Sequence, residues 1–93
     1  MKDLDKIIHQ PVRTKIMAYM SSVIECDYTS LKNTLKLSDG HMSTHMKELI
    51  GCGYLEMEKA FIDNKPKTTY RITKEGKKKF AEYVRTLKEM LTV

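Results

Sequence analysis

Apolar residues recur every three or four positions through the first half of the chain, which is the repeat of an α-helix that packs on one side. The first such pattern begins at Pro11, a residue favoured at the first position of a helix, and continues to Val23. Residues 26–28 are too few for a helix and are predicted to add a brief strand. The sequence therefore predicts one helix followed by a short extended segment.

Two more helical patterns follow within residues 29–52 and are separated by a short turn. Thr29 or Ser30 is the expected N-cap of the second helix, which is predicted to end near Lys36. Ser38 is the expected N-cap of the third helix, because a serine hydroxyl can accept a hydrogen bond from a free backbone N–H of the first turn. This segment is predicted to form a helix, a turn and a helix.

The third helix is predicted to have two unlike faces, since successive residues are rotated by about 100° around its axis. Met42, Met46 and Leu49 share one side and are expected in the core. The opposite side holds small or polar residues and one lysine, a surface that a partner could approach closely. Its members are Gly40, Thr44, Lys47 and Gly51, flanked by Ser43.

After residue 53 the apolar residues alternate every second position, which is the repeat of a β-strand. Alternation over residues 54–61 and again from residue 68 predicts a hairpin, with the charged segment 63–67 as its turn. Thr73 is the expected N-cap of a last helix from Lys74 to about residue 91. We expect the apolar stripe of this helix to pack partly on its own chain and partly on a partner chain.

The composition is that of an ordinary soluble protein. Of the 93 residues, 41% are hydrophobic and 31% are charged, and no run approaches the roughly 18 apolar residues that a membrane span requires. The length predicts a single domain over residues 1–93. The N-terminal segment MKDLDKII has no apolar core of a signal peptide, so the expected location is the cytoplasm, with no membrane partner.

The net charge of +5 lies in the last third of the chain. Residues 1–60 contain eight basic and eight acidic residues, whereas residues 61–93 contain nine basic and four acidic residues. A surplus confined to one region creates a directional field that suits a polyanionic partner. A solvated lysine face is the alternative, and charge alone does not decide between them.

Four blocks carry a resemblance to a known family. They are IHQPVRTKIM over residues 8–17, LSDGHMSTH over 37–45, GY over 53–54, and KPKTTYRITKEG over 65–76. The chain resembles the compact winged-helix transcriptional regulators of prokaryotes that are related to the MarR and ArsR families. The resemblance covers nearly the whole chain and implies an α+β, mainly α fold. That fold is a winged helix-turn-helix with a two- or three-stranded antiparallel wing and a C-terminal helix.

The resemblance also implies a function, which is sequence-specific binding of double-stranded DNA to regulate transcription. The third helix would enter the major groove, and the basic wing would reach the adjacent backbone or minor groove. The implied contacts on the third helix are Gly40, His41, Ser43, Thr44 and Lys47. Those on the wing are Asn64, Lys65, Lys67 and Thr68. A homodimer is expected through residues of the last helix, namely Phe80, Tyr83, Leu87, Met90 and Leu91.

Other functions receive less support from the sequence. A winged helix can also serve as a protein-interaction module, but the third-helix surface that such a module would need is not apolar here. No nucleophile is paired with a base and no phosphate-binding glycine loop is present, so no enzyme activity is predicted. His41 and His45 lie one turn apart, with Cys52 further along. We favour no metal, no cofactor and an inert thiol. The sequence identifies no small-molecule effector.

Overall fold

The computed structural model describes residues 3–92 as four helices and a three-stranded sheet. In chain order the elements are α1 (Pro11–Ser21), β1 (Cys26–Asp27), α2 (Tyr28–Leu35), α3 (Asp39–Gly51), β2 (Leu55–Ile62), β3 (Lys65–Ile72) and α4 (Lys74–Leu91). All strand pairs are antiparallel, and β3 lies between β1 and β2. The predicted α+β, mainly α winged helix-turn-helix is confirmed, with a wing of three strands.

Three helices begin at the residues expected from the sequence, two of them through a capping side chain. Pro11 opens α1, while the Ser38 hydroxyl accepts a hydrogen bond from the backbone N–H of His41 at 3.1 Å and so begins α3. Thr73 begins α4 in the same way, accepting from the N–H of Gly76 at 2.9 Å. Each cap satisfies a donor that the first helical turn leaves without a partner, so these boundaries follow from neighbouring residues alone.

The cap of α2 differs from the prediction. The N-cap is Asp27, not Thr29 or Ser30, and its carboxylate accepts a hydrogen bond from the Ser30 backbone N–H at 2.7 Å. This bond is the largest cause of the lowered pKa of Asp27. The prediction was wrong because residue 27 was assigned to the extended segment, although a residue that ends a strand can also cap the next helix.

The hairpin turn is shorter than predicted. Asp63 and Asn64 alone form it, with φ of 53° and 63°, and β3 already begins at Lys65, which pairs with Ile62. Two consecutive residues with positive φ form the primed two-residue turn that fits the right-handed twist of a hairpin. Asp and Asn adopt this conformation more readily than other non-glycine residues. Lys65, Pro66 and Lys67 are therefore strand residues and not loop residues.

The core lies between α1, α3 and the base of the sheet. Met42, Met46 and Leu49 are buried, as the helical pattern predicted. Their neighbours include Ile16, Met17 and Met20 of α1, Leu55 of β2, and Tyr70 and Ile72 of β3. Beyond Leu55 the rest of β2 is exposed, so the hairpin projects out of the core as a wing.

Polar contacts connect the N-terminal turn, α1 and α3. The Arg13 guanidinium donates to the backbone carbonyl of Ile7 at 2.5 Å and to Nδ1 of His45 at 3.1 Å. A guanidinium has no acceptor, so Nδ1 of His45 accepts this bond, and the imidazole is neutral with its proton on Nε2. Arg13 therefore holds α3 in place from within the fold. His45 is partly buried as a result.

One glycine allows α4 to approach the end of α3 closely. The Thr73 hydroxyl and backbone N–H both donate to the Tyr54 carbonyl, at 3.1 Å and 3.0 Å. A Cβ atom on Gly76 would lie 2.1 Å from the same carbonyl oxygen, which is far inside van der Waals contact. Only a glycine at position 76 leaves room for the backbone of α4 to pack here.

We therefore expect Gly76→Ala to destabilise the fold by about 3 kcal/mol, the cost of forcing the α4 backbone away from Tyr54. Gly51→Ala is the matched control, because its added Cβ has no neighbour within 4 Å. That control should be neutral or should stabilise the fold by up to about 1 kcal/mol. Urea unfolding followed by circular dichroism measures both, and equal effects would contradict the close approach.

The stability of the fold should depend on pH through His45. Burial is the first cause of the lowered pKa of this imidazole, followed by the charges of Arg13 and His41, against which Glu48 acts weakly. The folded pKa thus lies below the unfolded value of 6.5, so the unfolded chain binds more protons in this window. The contribution of His45 to stability is fully present above pH 6.5 and is lost as the pH falls through the lowered pKa of the folded state.

The expected result is a urea midpoint that decreases between pH 7.5 and 5.5. The free energy of unfolding should fall by less than the limit of about 1.4 kcal/mol per pH unit for one proton. His45→Gln retains a polar side chain that does not titrate, so the midpoint of this variant should change less over the same range. A variant whose midpoint follows the wild-type curve would show that His45 is not the group responsible.

Candidate nucleic-acid interface

The solvent-facing side of α3 is made of short or polar side chains. The five residues implied by the resemblance, Gly40, His41, Ser43, Thr44 and Lys47, are all exposed. They lie opposite Met42, Met46 and Leu49, so the packing of α3 on the core turns them outward together. Because three of the five side chains are absent or short, a partner can approach the helix backbone closely.

The start of α3 is fixed to α2 by a charged contact. The Asp39 carboxylate lies 2.8 Å from the Lys32 ammonium and accepts a hydrogen bond from the Tyr28 hydroxyl. The Lys32 contact is the largest cause of the lowered pKa of Asp39, and the Tyr28 bond adds to it. The negative charge of Asp39 also interacts favourably with the dipole of α3 at this N-terminal end. The pairing reduces the negative field of this acid beside the polar face of α3.

The wing has two faces, and the predicted wing residues are divided between them. Met57 and Tyr70 are paired across the strands and line a groove beside α3. Because side chains alternate along a strand, Lys59, Phe61, Pro66 and Thr68 belong to this same face, which we call the α3 side of the wing. Lys65 and Lys67 belong to the opposite face.

The two predicted lysines occupy different depths of the wing. Lys65 is exposed beside the turn residue Asn64, at the tip. Lys67 is also exposed but lies near α2, where its charge contributes, after the Ser30 hydrogen bonds, to the lowered pKa of Asp27. The cations therefore extend from the wing tip back towards the start of α2.

Lys59 is a candidate contact that the sequence pattern did not assign. It interrupts the apolar alternation of β2, and the structure places it opposite Thr68 on the α3 side of the wing, exposed to solvent. The interruption itself was the available signal, because a lysine on the otherwise apolar face of a strand indicates that the strand has left the core. Phe61 lies beyond it on the same face and is 80% exposed.

Two other basic residues of the last third, Arg71 and Lys79, form ion pairs within the chain. The Arg71 guanidinium lies 3.1 Å from Glu25 and 3.5 Å from Glu58. The Lys79 ammonium lies 3.9 Å from both Glu75 and Glu82. Lys65 and Lys67 form no such ion pair within residues 3–92, and both side chains are exposed.

The residues expected at a dimer interface do not share one environment. Tyr83 is 5% exposed, and its hydroxyl lies 2.9 Å from Nδ1 of His9 in the same chain. Phe80 and Leu87 are partly buried against the core. Met90 and Leu91 are exposed at the end of α4, Leu91 by 77%. Tyr83 thus packs within its own chain, while the exposed apolar surface of α4 lies at its C-terminal end.

Three properties of residues 3–92 bear on other functions. Over residues 3–92, no three or more His, Cys, Asp or Glu residues lie together in a way that could hold a metal ion. None of the helices in this part of the chain is long and apolar enough to cross a membrane. Cys52 is exposed, and burial of its sulfur is the first cause of its raised pKa, which disfavours the reactive thiolate.

Comparison with solved structures shows similar folds. A transcriptional regulator homologue of Pyrococcus horikoshii superposes with a TM-score of 0.86 at 24% identity, over 92% of this chain and 85% of that one. A protein of Porphyromonas gingivalis assigned to the MarR family gives a TM-score of 0.58 at 21% identity, over 99% and 94% of the two chains. At these identities the likeness concerns the fold.

Sequence comparison shows a closer relationship. An uncharacterized protein of Methanocaldococcus jannaschii is 37% identical over 79 residues, which are 85% of this chain and 86% of that protein. The family model described as a winged helix DNA-binding domain matches residues 12–91, from the start of α1 to the end of α4. The matched segment includes the polar face of α3 and the whole wing. The chain therefore belongs to the winged helix DNA-binding domain family.

Proposed function

We propose that this chain is a cytoplasmic transcriptional regulator that binds double-stranded DNA in a sequence-specific manner. The observation that carries the proposal is the exposed polar face of α3 beside a basic wing. An α-helix fits the major groove, and a helix with short side chains can lie deep in it. The family membership and the fold shared with a transcriptional regulator homologue support the same function.

In the proposed complex α3 and the wing contact different parts of the DNA. Gly40, His41, Ser43, Thr44 and Lys47 of α3 face the major groove, where hydroxyl and imidazole groups bond to base edges and the ammonium contacts a phosphate. Asn64, Lys65, Lys67 and Thr68 of the wing contact the adjacent backbone or minor groove. Lys65 and Thr68 lie on opposite faces of the wing, so the wing would have to enter a groove to use both.

We also propose that the chain acts as a homodimer joined through the end of α4. Two copies would place two α3 helices about one turn of DNA apart, so the bound site would be a pseudo-palindrome. Met90 and Leu91 supply the exposed apolar surface, and Phe80 and Leu87 extend it along the helix. Tyr83 contributes indirectly, because its buried side chain packs α4 onto its own chain.

Selection of bound duplexes from a random pool tests the function, because a sequence-specific regulator enriches a motif. A pool without enrichment would contradict sequence-specific regulation. It would leave non-specific DNA binding or a protein-interaction module as the function.

The selected duplex then serves to test the wing. The double variant Lys65→Ala/Lys67→Ala should weaken binding to every sequence and reduce the slope of log affinity against log salt by about two units.

Lys77→Ala/Lys78→Ala is the matched control for the wing, since it removes the same charge from two exposed residues of α4. The control should retain most of the wild-type slope. Equal losses in the two double variants would show that net charge, and not contact by the wing, determines affinity. The motif enriched by the wing variant should match that of the wild type, because α3 is unchanged.

The dimer is tested by light scattering after size exclusion. We expect the wild type to have twice the mass of the 10.8 kDa chain. Met90→Glu/Leu91→Glu should have the mass of one chain, because four carboxylates would be buried in the interface of the pair. Arg85→Glu is the control, since this exposed residue lies on the opposite side of α4. A monomeric wild type, or a dimeric double variant, would contradict the proposed interface.

A further inference from the structure

Apolar side chains are exposed at the tip of the wing. Phe61 is 80% exposed and Ile62 is 51% exposed. Pro66, the cross-strand partner of Phe61, is exposed as well and covers little of the ring. The turn is formed by Asp63 and Asn64 alone, so the local fold does not explain an aromatic residue here. Large apolar groups that a fold leaves in water mark a surface that a partner covers.

The ring of Phe61 leaves the wing on the side of α3. Side chains alternate along a strand, so Phe61 shares a face of β2 with Met57, which lines the groove beside α3. A duplex held by α3 lies on this side of the wing. Phe61 and Pro66 are therefore directed towards it, whereas Ile62 belongs to the opposite face.

The length of the wing sets how far Phe61 reaches across DNA. A strand rises about 3.3 Å per residue, so Phe61 lies roughly 13 Å along β2 from Met57, the residue that stays beside α3. The major groove is about 12 Å wide. With α3 in the major groove, a side chain at this distance passes the sugar–phosphate backbone at the edge of that groove and reaches the adjacent minor groove.

The charges around Phe61 suit a polyanion. Lys59 is exposed on the same face, two residues before Phe61. The acids of β2 and β3 are Glu56 and Glu58, and both belong to the opposite face. An aromatic ring beside a lysine also suits an anionic membrane surface. The distance between Phe61 and α3, which matches the spacing of the two DNA grooves, favours DNA.

We propose that Phe61 is a specificity-determining residue, whose ring wedges into a base step of the minor groove and bends the duplex. The inference rests on the proposed function, since α3 must first place the wing beside the duplex. Apolar wedges in the minor groove unstack a base step and kink the duplex towards the major groove. Here that kink closes the major groove around α3. Because pyrimidine–purine steps unstack most easily, the wing selects a TA or CA step without a hydrogen bond to a base.

The first experiment measures the bend by energy transfer between dyes at the two ends of the selected duplex, or of a random-sequence duplex if no motif is enriched. The wild type should bend it by about 20° or more. Phe61→Ala should bind about three- to thirty-fold more weakly and leave the duplex straighter. Phe61→Leu should retain most of the bend, because leucine is also an apolar wedge. Equal bends with the wild type and Phe61→Ala would overturn the proposal.

Ile24→Ala is the matched control, because it removes an apolar side chain that is 89% exposed and lies outside the wing. It should bind and bend the duplex like the wild type, and an equal loss in this variant would overturn the assignment to Phe61. Failure of the wedge is distinguishable from failure of the proposed function. A wild type that binds without bending contradicts the wedge alone, whereas a wild type that binds no duplex contradicts both.

The second experiment locates the step and tests its sequence. 2-Aminopurine, placed at each position of the duplex in turn, becomes brighter where the wild type unstacks a base. Replacing that TA or CA step by AA should weaken the wild type about three- to ten-fold and Phe61→Ala much less. Equal losses would overturn the role in specificity. Phosphatidylglycerol vesicles test the other partner: sedimentation with vesicles that Phe61→Ala abolishes, while its DNA binding is unchanged, would overturn the proposal.

Discussion

The burial of Met42, Met46 and Leu49 determines what the rest of the molecule presents to solvent. These side chains are almost fully enclosed, and each contributes roughly 1.5–3 kcal/mol relative to exposure. Turning α3 by one residue, about 100°, would expose part of this set and bury the Lys47 ammonium, at a cost of several kcal/mol more. The helix therefore has one rotational setting, and its opposite, polar face is exposed as a consequence of core packing.

Contacts within and between neighbouring elements made much of the fold predictable from the sequence. Ser38 and Thr73 mark the starts of α3 and α4 because capping involves only residues three positions apart. Pro11 marks the start of α1 because its fixed φ suits the first helical position. The two faces of α3 were predictable for a similar reason, since helical rotation fixes which residues share a side. The candidate contacts on α3 depend on nothing more distant than this pattern.

The wing was harder to predict because its geometry depends on pairing between strands. Sequence alternation gave two strands, but the residues at the turn adopt strand or loop conformations according to their cross-strand partners. Once Lys65 pairs with Ile62, the turn shortens to Asp63 and Asn64, and every later residue of β3 is assigned to a face. That register separates Lys67 from Thr68 and makes Lys59 a candidate contact. The burial of Tyr83 against His9 is likewise a contact between distant residues.

The composition of α3 constrains how a sequence could be recognised under the proposed function. Residues 39–51 include no Arg, Asn or Gln, the side chains that form the strongest bidentate contacts with guanine and adenine. Ser43 and Thr44 accept or donate with little base preference, so direct contacts from one helix discriminate weakly. Specificity must then come from the fit of two helices to groove width and DNA curvature, and from the spacing of half-sites that a dimer imposes. Small residues serve this mode of recognition, because a helix that approaches closely is sensitive to the shape of the groove.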